Sequence, residues 1–549
     1  MFQRAFVQAG GLRIHYRVAG AGPPVVMLHP SPLSSQAVMP VAGEVARHCR
    51  VFALDTPGYG LSEPLPRRPG SLDDFLAPLA QALDALGIGR CCLYGAATGA
   101  QIALEFACRF PERTALLVMD TAGHIPAEDC DRLVDGYFPD VAPRADGSHL
   151  LTLWGLVRDL GVFFPWNDTR RAARIPRDLP PAGAMQAMLL DYLRAGVRYD
   201  WAYRPAFYNE RAERVRRCPV PAILTRWPSS IALGITDALI AAGLPANFRV
   251  LQLGPSLQDR AEGIAGAIAG AWRGSEAAPT DPRQLPRDRF GGVMLDGGEL
   301  QLHARVCMAG TGVPLVALHR AGASARLLEP ILAALAGLRP VVAIDLPGHG
   351  DSDPLPEPAA QLDAPVRSAL EALSLPSMDV LGDGLGAEVA ASLAAAWPAR
   401  VRARVLITRT GPAPVTAAPW PGLVSRLDGG HLLEAWFMLR DRRLWSPWHE
   451  RTAASMIRQC DPDLDAQSLH AELVELLKCG ERFAPLARRE AAADTRTLSA
   501  ACSGPSLWLD GDPARLAAGP GADALLPPSA LAAGALVCKW LETCPGGLE

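Results

Sequence analysis

The sequence predicts an α/β protein of two tandem domains, each a doubly wound, largely parallel sheet that carries a helical insertion. Three observations carry that prediction. The chain repeats itself once, each half alternates short apolar runs with helical patterns, and in each half one apolar run ends in a glycine-flanked turn into a helix. Leu12-Arg-Ile-His15 returns as Leu300-Gln-Leu-His303, and Val25-Val-Met-Leu-His29 returns as Leu315-Val-Ala-Leu-His319. The segment DTPGYGLS from Asp55 returns as DLPGHGDS from Asp345, and Gly95-Ala-Ala97-Thr-Gly99 returns as Gly382-Asp-Gly384-Leu-Gly386.

In the first half, Val25 to His29, Val51 to Asp55, Cys91 to Tyr94 and Leu116 to Asp120 read as buried parallel strands. Leu72 to Leu86 and Gln101 to Phe110 read as helices. From His124 to about Arg217 the pattern becomes helical and rich in Trp, Tyr, Phe and Arg, and strands resume at Pro221 to Thr225 and Phe248 to Leu253. The second half follows the same plan, with late strands near Pro505 to Leu509. RGSEAAPTDPRQLPRD, rich in Pro and charge, reads as a linker. The expected organisation is domain 1 over 1–273 with its insertion at about 121–217, a linker over 274–288, and domain 2 over 289–549 with its insertion at about 411–499.

Composition narrows the function classes. Lys and Arg number 53 against 57 Asp and Glu, a net charge of −4 without a block of like charge, so no electrostatic footprint for nucleic acid or membrane is visible. Lysine occurs only at Lys478 and Lys539 while Arg, Ala, Gly and Pro abound, a bacterial-type composition that base content explains more simply than function does. MFQRAFVQAGGLRIHY lacks the apolar core of a signal peptide, and no apolar run reaches spanning length, so a cytoplasmic location is expected. The twelve cysteines show no C-x-x-C spacing, which suggests neither a disulfide framework nor a zinc site; no metal and no cofactor is expected.

The leucine-histidine pairs at His29 and His319, the D-x-P-G-x-G-x-S turns at Asp55 and Asp345 and the two glycine-flanked turns, in this order, make the chain resemble the α/β-hydrolase superfamily in both halves. That resemblance implies an eight-stranded sheet, a pocket at the strand ends under a helical lid, and a triad in chain order Ser, acid, His, with the serine at the centre of a G-x-S-x-G elbow. The sequence departs from this pattern at each triad position. Ala97 and Gly384 stand where the two nucleophiles belong. There is no histidine between His149 and His303 and none after His470, so the late histidine is missing from both halves. Thr225-Arg-Trp-Pro-Ser-Ser230 offers no carboxylate, and Asp510 and Asp512 have no histidine to orient. Losing the serine or histidine of such a triad costs about 8 kcal/mol of transition-state stabilisation, which disfavours conventional serine hydrolysis.

Other groups could supply acid–base chemistry. His29 lies in the loop that helps to build the oxyanion hole in the family, and reads equally as a substrate contact or as a fastening for that loop. Asp120 and His124 are four residues apart after the strand that follows the elbow helix, where a carboxylate could orient a histidine base; a loop aspartate with a hinge histidine is the simpler reading. His149 is a further candidate. It belongs to a repeat within the insertions, Asp146-Gly-Ser-His149 through Trp154 to Arg158, which returns as Asp428-Gly-Gly-His431 through Trp436 to Arg440. Trp154 and Arg158, four apart on one helical face, could stack on an anionic or planar ligand or could simply fasten the insertion to its sheet. Thr98, one past the elbow apex, reads chiefly as a helix-start residue, and Tyr203 belongs to an aromatic cluster, DYLRAGVRYDWAYRPAFYN, suited to a ligand cavity. The matching stretch of domain 2 has lost nearly all of these rings.

Two functions therefore stand beside each other. In one, domain 1 holds a small acyl or carbonyl compound and acts on it, if at all, by acid–base rather than serine chemistry, with domain 2 as a degenerate scaffold. In the other, the chain is a catalytically inactive tandem pseudo-hydrolase that serves as a binding or interaction module. The expected partners are a small molecule and, within the chain, the other domain, with no nucleic acid and no membrane; self-association is left open.

Overall fold

In the computed structural model the described residues are 2–175, 178–275, 285–355, 357, 361–408, 419–458, 461–493, 502, 504–510, 524–527 and 529–544. The chain divides into two compact units, residues 1–142 with 149–284 and residues 143–148 with 285–549. Most of the expected linker, and the edges of the second insertion at 409–418 and 494–501, lie outside the described residues.

The first unit is an eight-stranded sheet in the order β1-β2-β4-β3-β5-β6-β7-β8. Its strands are β1 (Gln3–Ala9), β2 (Leu12–Ala19), β3 (Pro24–Leu28), β4 (Arg50–Leu54), β5 (Cys91–Ala96), β6 (Thr114–Asp120), β7 (Ala222–Arg226) and β8 (Phe248–Gln252). β2 pairs antiparallel with both β1 and β4, and every other pairing is parallel. Alternate residues of the central strands, Val25, Met27, Val51, Ala53, Cys92 and Tyr94, pack against Val41 and Val45 of the helix Met39–Val45 and Ile264 and Ile268 of the helix Leu257–Ala271. Strands buried on both faces need such uninterrupted apolar runs, which is why they stand out in the sequence.

The second unit repeats the topology with β9 (Gly291–Asp296), β10 (Gln301–Cys307), β11 (Leu315–Leu318), β12 (Val341–Ile344), β13 (Met378–Asp383), β14 (Val401–Thr408), β15 (Ser506–Asp510) and the two-residue β16 (Ala524–Leu525). Its order is β9-β10-β12-β11-β13-β14-β15-β16, strand for strand that of the first sheet. The doubly wound tandem architecture is thus what the sequence predicts.

In both sheets the winding reverses between the third strand and its neighbour, so the carboxyl ends of β3 and β5, and of β11 and β13, open side by side into a crevice, the usual ligand position of an open α/β sheet. His29 and His319 follow the first member of each pair, and the elbows follow the second. The helices between β6 and β7 include Ala127–Val134, Ser148–Asp159, Ala182–Ala195 and Tyr203–Asn209; their counterparts between β14 and β15 include Gly430–Asp441, Ala466–Cys479 and Phe483–Ala492. No helix among the described residues is long and apolar enough to cross a membrane.

Candidate functional site

Both units keep the sharp strand-to-helix turn of an elbow. Ala97 joins β5 to the helix Thr98–Arg109 at φ 49° and ψ −116°, and Gly384 joins β13 to the helix Leu385–Ala396 at φ 55° and ψ −114°. Such angles strain an L-residue by about 1–3 kcal/mol, so Ala97 holds a turn that its side chain does not favour. The glycines around it are steric necessities. A Cβ on Gly95 would sit 2.2 Å from the Gly99 carbonyl oxygen, and one on Gly99 would sit 2.4 Å from that of Leu28, because the helix start is pressed onto the ends of β5 and β3.

Above this elbow lies a half-open pocket lined by Ala97, Thr98 and Thr121, by Phe164, Tyr203, Ala206 and Phe207, and by Glu210, Ile231, Ala232 and Ile235. Thr98 and Tyr203, two of the ligand candidates, line it. Tyr203 stacks on Phe207 at 5.3 Å and its hydroxyl meets that of Tyr137 at 2.7 Å, so the aromatic wall is fixed by its own contacts. The other members of the predicted cluster divide: Tyr192 and Tyr199 are buried away from the cavity lining, and Tyr208 is exposed.

Trp154 and Arg158 do not line it. Trp154 is buried in its helix whereas the Arg158 side chain is more than half exposed beside Asp159, so the pair does not stack together over a ligand. His149 is buried in the same helix, also outside the lining.

The expected acid–base groups are committed elsewhere. The His29 Nδ1 meets the Pro30 carbonyl at 2.9 Å and its Nε2 meets the Thr56 N–H at 2.9 Å. A carbonyl can only accept and an amide N–H can only donate, so the ring is fixed as the neutral Nδ1–H tautomer, and burial pushes its pKa down. His319 repeats the arrangement with the Arg320 carbonyl and the Leu346 N–H, which makes the leucine-histidine pair a fastening for the loop in both units. Of the two readings of His29, the geometry carries the structural one.

Asp120 and His124 are not brought together as a dyad. The His124 Nδ1 accepts the Ala212 N–H at 3.2 Å, at the start of the helix Ala212–Arg216. Asp120, wholly buried at the end of β6, accepts from the Tyr94 hydroxyl at 2.6 Å, from the Thr225 hydroxyl at 2.7 Å and from the Arg260 Nε at 2.8 Å, with the Arg260 Nη2 still closer. The Arg260 guanidinium in turn lies 4.9 Å from the centre of the Trp227 ring. Sequence reasoning missed Arg260, whose signal lies four residues after Ser256, the cap of the last helix in the unit.

The D-x-P-G turn is likewise structural, as its repetition suggests. The Asp55 carboxylate accepts the Ser35 and Leu61 N–H groups at 2.6 and 2.9 Å and pairs with His15 at 2.7 Å. Burial favours the neutral acid, yet His15, His29 and the Leu61 N–H hold it below the usual carboxylate range. In the second unit the ligand-type atoms of His303, Asp345 and Asp351 lie within 4.8 Å of one another, but His303 pairs with Asp345 and Lys478 pairs with Asp351. Their donor set is that of a fastened turn.

The carboxylic acid that does line the cavity is Glu210, which sequence reasoning missed. It follows the helix Tyr203–Asn209, is 6% exposed, and accepts the Gly123 N–H at 2.6 Å. Burial pushes its carboxyl up to about 8. Such a carboxyl carries its proton at neutral pH and can donate it.

A family model described as alpha/beta hydrolase fold matches residues 23–153 and 313–504. A 2-hydroxy-6-oxo-2,4-heptadienoate hydrolase of Pseudomonas putida is 38% identical over 147 residues, 25% of this chain and 51% of that protein. A 2-hydroxymuconate semialdehyde hydrolase of a Pseudomonas species is 35% identical over 160 residues, 28% of this chain and 54% of that protein. The chain thus spans about half the length of these curated relatives. Among solved structures, epoxide hydrolase A of Mycobacterium thermoresistibile matches over 51% of this chain and 100% of its own, at 18% identity and a TM-score of 0.41.

Proposed function

The chain belongs to the alpha/beta hydrolase fold family, which is matched once in each half, and we propose that its first unit binds a small acyl or carbonyl compound in the elbow cavity. The observation that carries this reading is the cavity itself, at the carboxyl end of β5, with the elbow residues Ala97 and Thr98 on its floor side and a ring of Phe164, Tyr203 and Phe207 around it. The relatives' printed names, hydrolases of oxygenated dienoate and semialdehyde compounds, agree with a small carbonyl ligand. Chemistry there runs without a serine. A methyl group at Ala97 cannot attack a carbonyl carbon, so the group able to act is Glu210, which holds a proton at neutral pH and can deliver it to a carbonyl oxygen or leaving group. The second unit serves as a scaffold.

The test is a screen of small esters, ketones and keto acids against the full chain by thermal shift, followed by turnover assays on whatever binds. A compound that binds the wild type and is excluded when Ile235→Trp fills the cavity supports the pocket; no compound bound at all sinks it. Turnover that disappears in Glu210→Gln supports catalysis, and turnover unaffected by that change removes Glu210 from the reading. The second reading, a binding module without catalysis, is favoured by the commitment of His29, Asp120 and His124 to structural hydrogen bonds, and binding without turnover identifies it.

A further inference from the structure

In the second unit a side chain occupies the place where a hydrolase of this fold would hold an oxyanion. That hole is built from the backbone N–H after the elbow apex and an N–H from the loop after the third strand. Here those groups belong to Leu385 and Ala321, and the Glu490 Oε2 accepts both, at 2.8 and 2.7 Å. Glu490 comes from the helix Phe483–Ala492. The apex residue makes room for it: a Cβ on Gly384 would stand 2.6 Å from the same Oε2, so a serine there and this carboxylate exclude each other.

The internal repeat locates the corresponding positions in the first unit. Leu385 corresponds to Thr98 and Ala321 to Ser31, each counted from the shared elbow and the shared leucine-histidine pair. The register of the helices is set by Gly196 and Gly480, which end their helices at φ 55° and 59° and begin the short helical turns Gly196–Arg198 and Gly480–Arg482. Ten residues past each glycine stand Ala206 and Glu490. Where the second unit places a carboxylate over the hole, the first has a methyl group, and Ala97, Thr98 and Ala206 all line the cavity.

We infer that the cavity of the first unit takes a ligand with a free carboxylate, seated on the N–H of Thr98, which lines it, as Glu490 is seated on that of Leu385. This deepens the small-molecule reading above and rests on it. The site is suited to an anion in two further respects. The helix Thr98–Arg109 runs twelve residues from this point, with its positive end toward the cavity. Glu210, the acid in the lining, is held neutral by burial and does not repel a carboxylate at neutral pH. Beyond the carboxylate, Phe164, Phe207, Ile231 and Ile235 offer an apolar wall, so the ligand class is a small carboxylic acid with a hydrocarbon or aryl body.

The experiment uses the full chain and calorimetric titration with benzoate, methyl benzoate and acetate. Wild type is expected to bind one benzoate, and Ala206→Glu, which installs the second unit's carboxylate in the first, should weaken it by about tenfold or more. Glu490→Ala deletes atoms equivalent to one acetate; the variant should bind one acetate more than wild type, at the vacated hole, and its thermal stability should rise with acetate by more than that of wild type. This second variant decides the matter should Ala206→Glu fail to fold. Methyl benzoate binding as tightly as benzoate, or acetate failing to bind Glu490→Ala, overturns the carboxylate inference while leaving the cavity reading in place. Neither benzoate nor methyl benzoate binding overturns both.

Discussion

Asp120, wholly buried, forms an ion pair with the partly buried Arg260 at the carboxyl end of the first sheet, and the second unit replaces both partners with aliphatic side chains. The equivalents follow from strand register and helix caps. Tyr94, Asp120 and Thr225 correspond to Leu381, Ile407 and Leu509, which share one apolar cluster, and Arg260 corresponds to Ala533, each four residues past a capping serine. The same fold thus closes the same space once with a hydrogen-bonded network and once with hydrocarbon.

That relationship predicts two outcomes from substitutions at one site. Removing one partner of a buried pair strands the other, so Asp120→Ala should cost about 3–5 kcal/mol. The four changes together, Tyr94→Leu, Asp120→Ile, Thr225→Leu and Arg260→Ala, rebuild the second unit's interior at similar total volume and should stay within about 2 kcal/mol of wild type. Urea unfolding of the full chain reads both. A quadruple variant less stable than Asp120→Ala would mean that the network, not the space, holds this end of the sheet.

Glu210 predicts a dependence on pH whose sign is fixed. Its carboxyl stands at about 8 in the folded chain against an ordinary value of 4.5. Below pH 4.5 the folded and unfolded chains are both protonated there and the contribution is complete. As pH rises toward 8 the unfolded chain releases the proton and the folded one retains it, so stability falls, by roughly 4–5 kcal/mol over the window. Glu210→Gln keeps an oxygen for the Gly123 N–H and cannot ionise. Denaturant midpoints at pH 5 and pH 8 should therefore fall less in the variant than in wild type; equal falls would place the titration elsewhere.

The fold was readable because buried parallel strands write themselves as short apolar runs, as at Val25 to Leu28 and Cys91 to Tyr94, and because the chain wrote them twice. The elbows were readable because Gly95 and Gly99 tolerate no side chain. The site was less so. Asp120 and His124 are close in sequence, but β6 ends between them, and their hydrogen bonds go to Arg260, 140 residues away, and to Ala212. Glu210 carries no local signal at all: its burial depends on the loop around Gly123, 87 residues earlier, folding over it. Glu490 opposite Ala206 could have been found by carrying the repeat through the helices from Gly196 and Gly480.

Ala97 predicts a small gain. Glycine adopts its φ of 49° without steric cost, as Gly384 does at the same place. Relief of about 1–3 kcal/mol is offset by roughly 0.5–1 kcal/mol of extra chain entropy, so Ala97→Gly should stabilise the first unit by about 1 kcal/mol. A loss of stability in thermal unfolding would show that the Ala97 methyl contributes packing to the cavity wall that outweighs the strain.

The last prediction concerns restoring the serine. Ala97→Ser puts a hydroxyl at the apex of an intact elbow, the first requirement of an activated nucleophile. At neutral pH it has no base to serve it, since Glu210 in the same cavity holds its proton. Both nitrogens of His29 are held by the backbone, the His124 Nδ1 holds the Ala212 N–H, and Asp120 is paired with Arg260. The segment after β8, where the family keeps its histidine, contains none in this chain. Ala97→Ser should therefore remain unlabelled by a fluorophosphonate probe and inert toward p-nitrophenyl acetate, within about tenfold of the wild-type background, since without a general base the roughly millionfold contribution of a complete triad stays unavailable. Labelling at residue 97 would require one of these histidines to leave its backbone partners, and exchange of its ring N–H in the variant would show which.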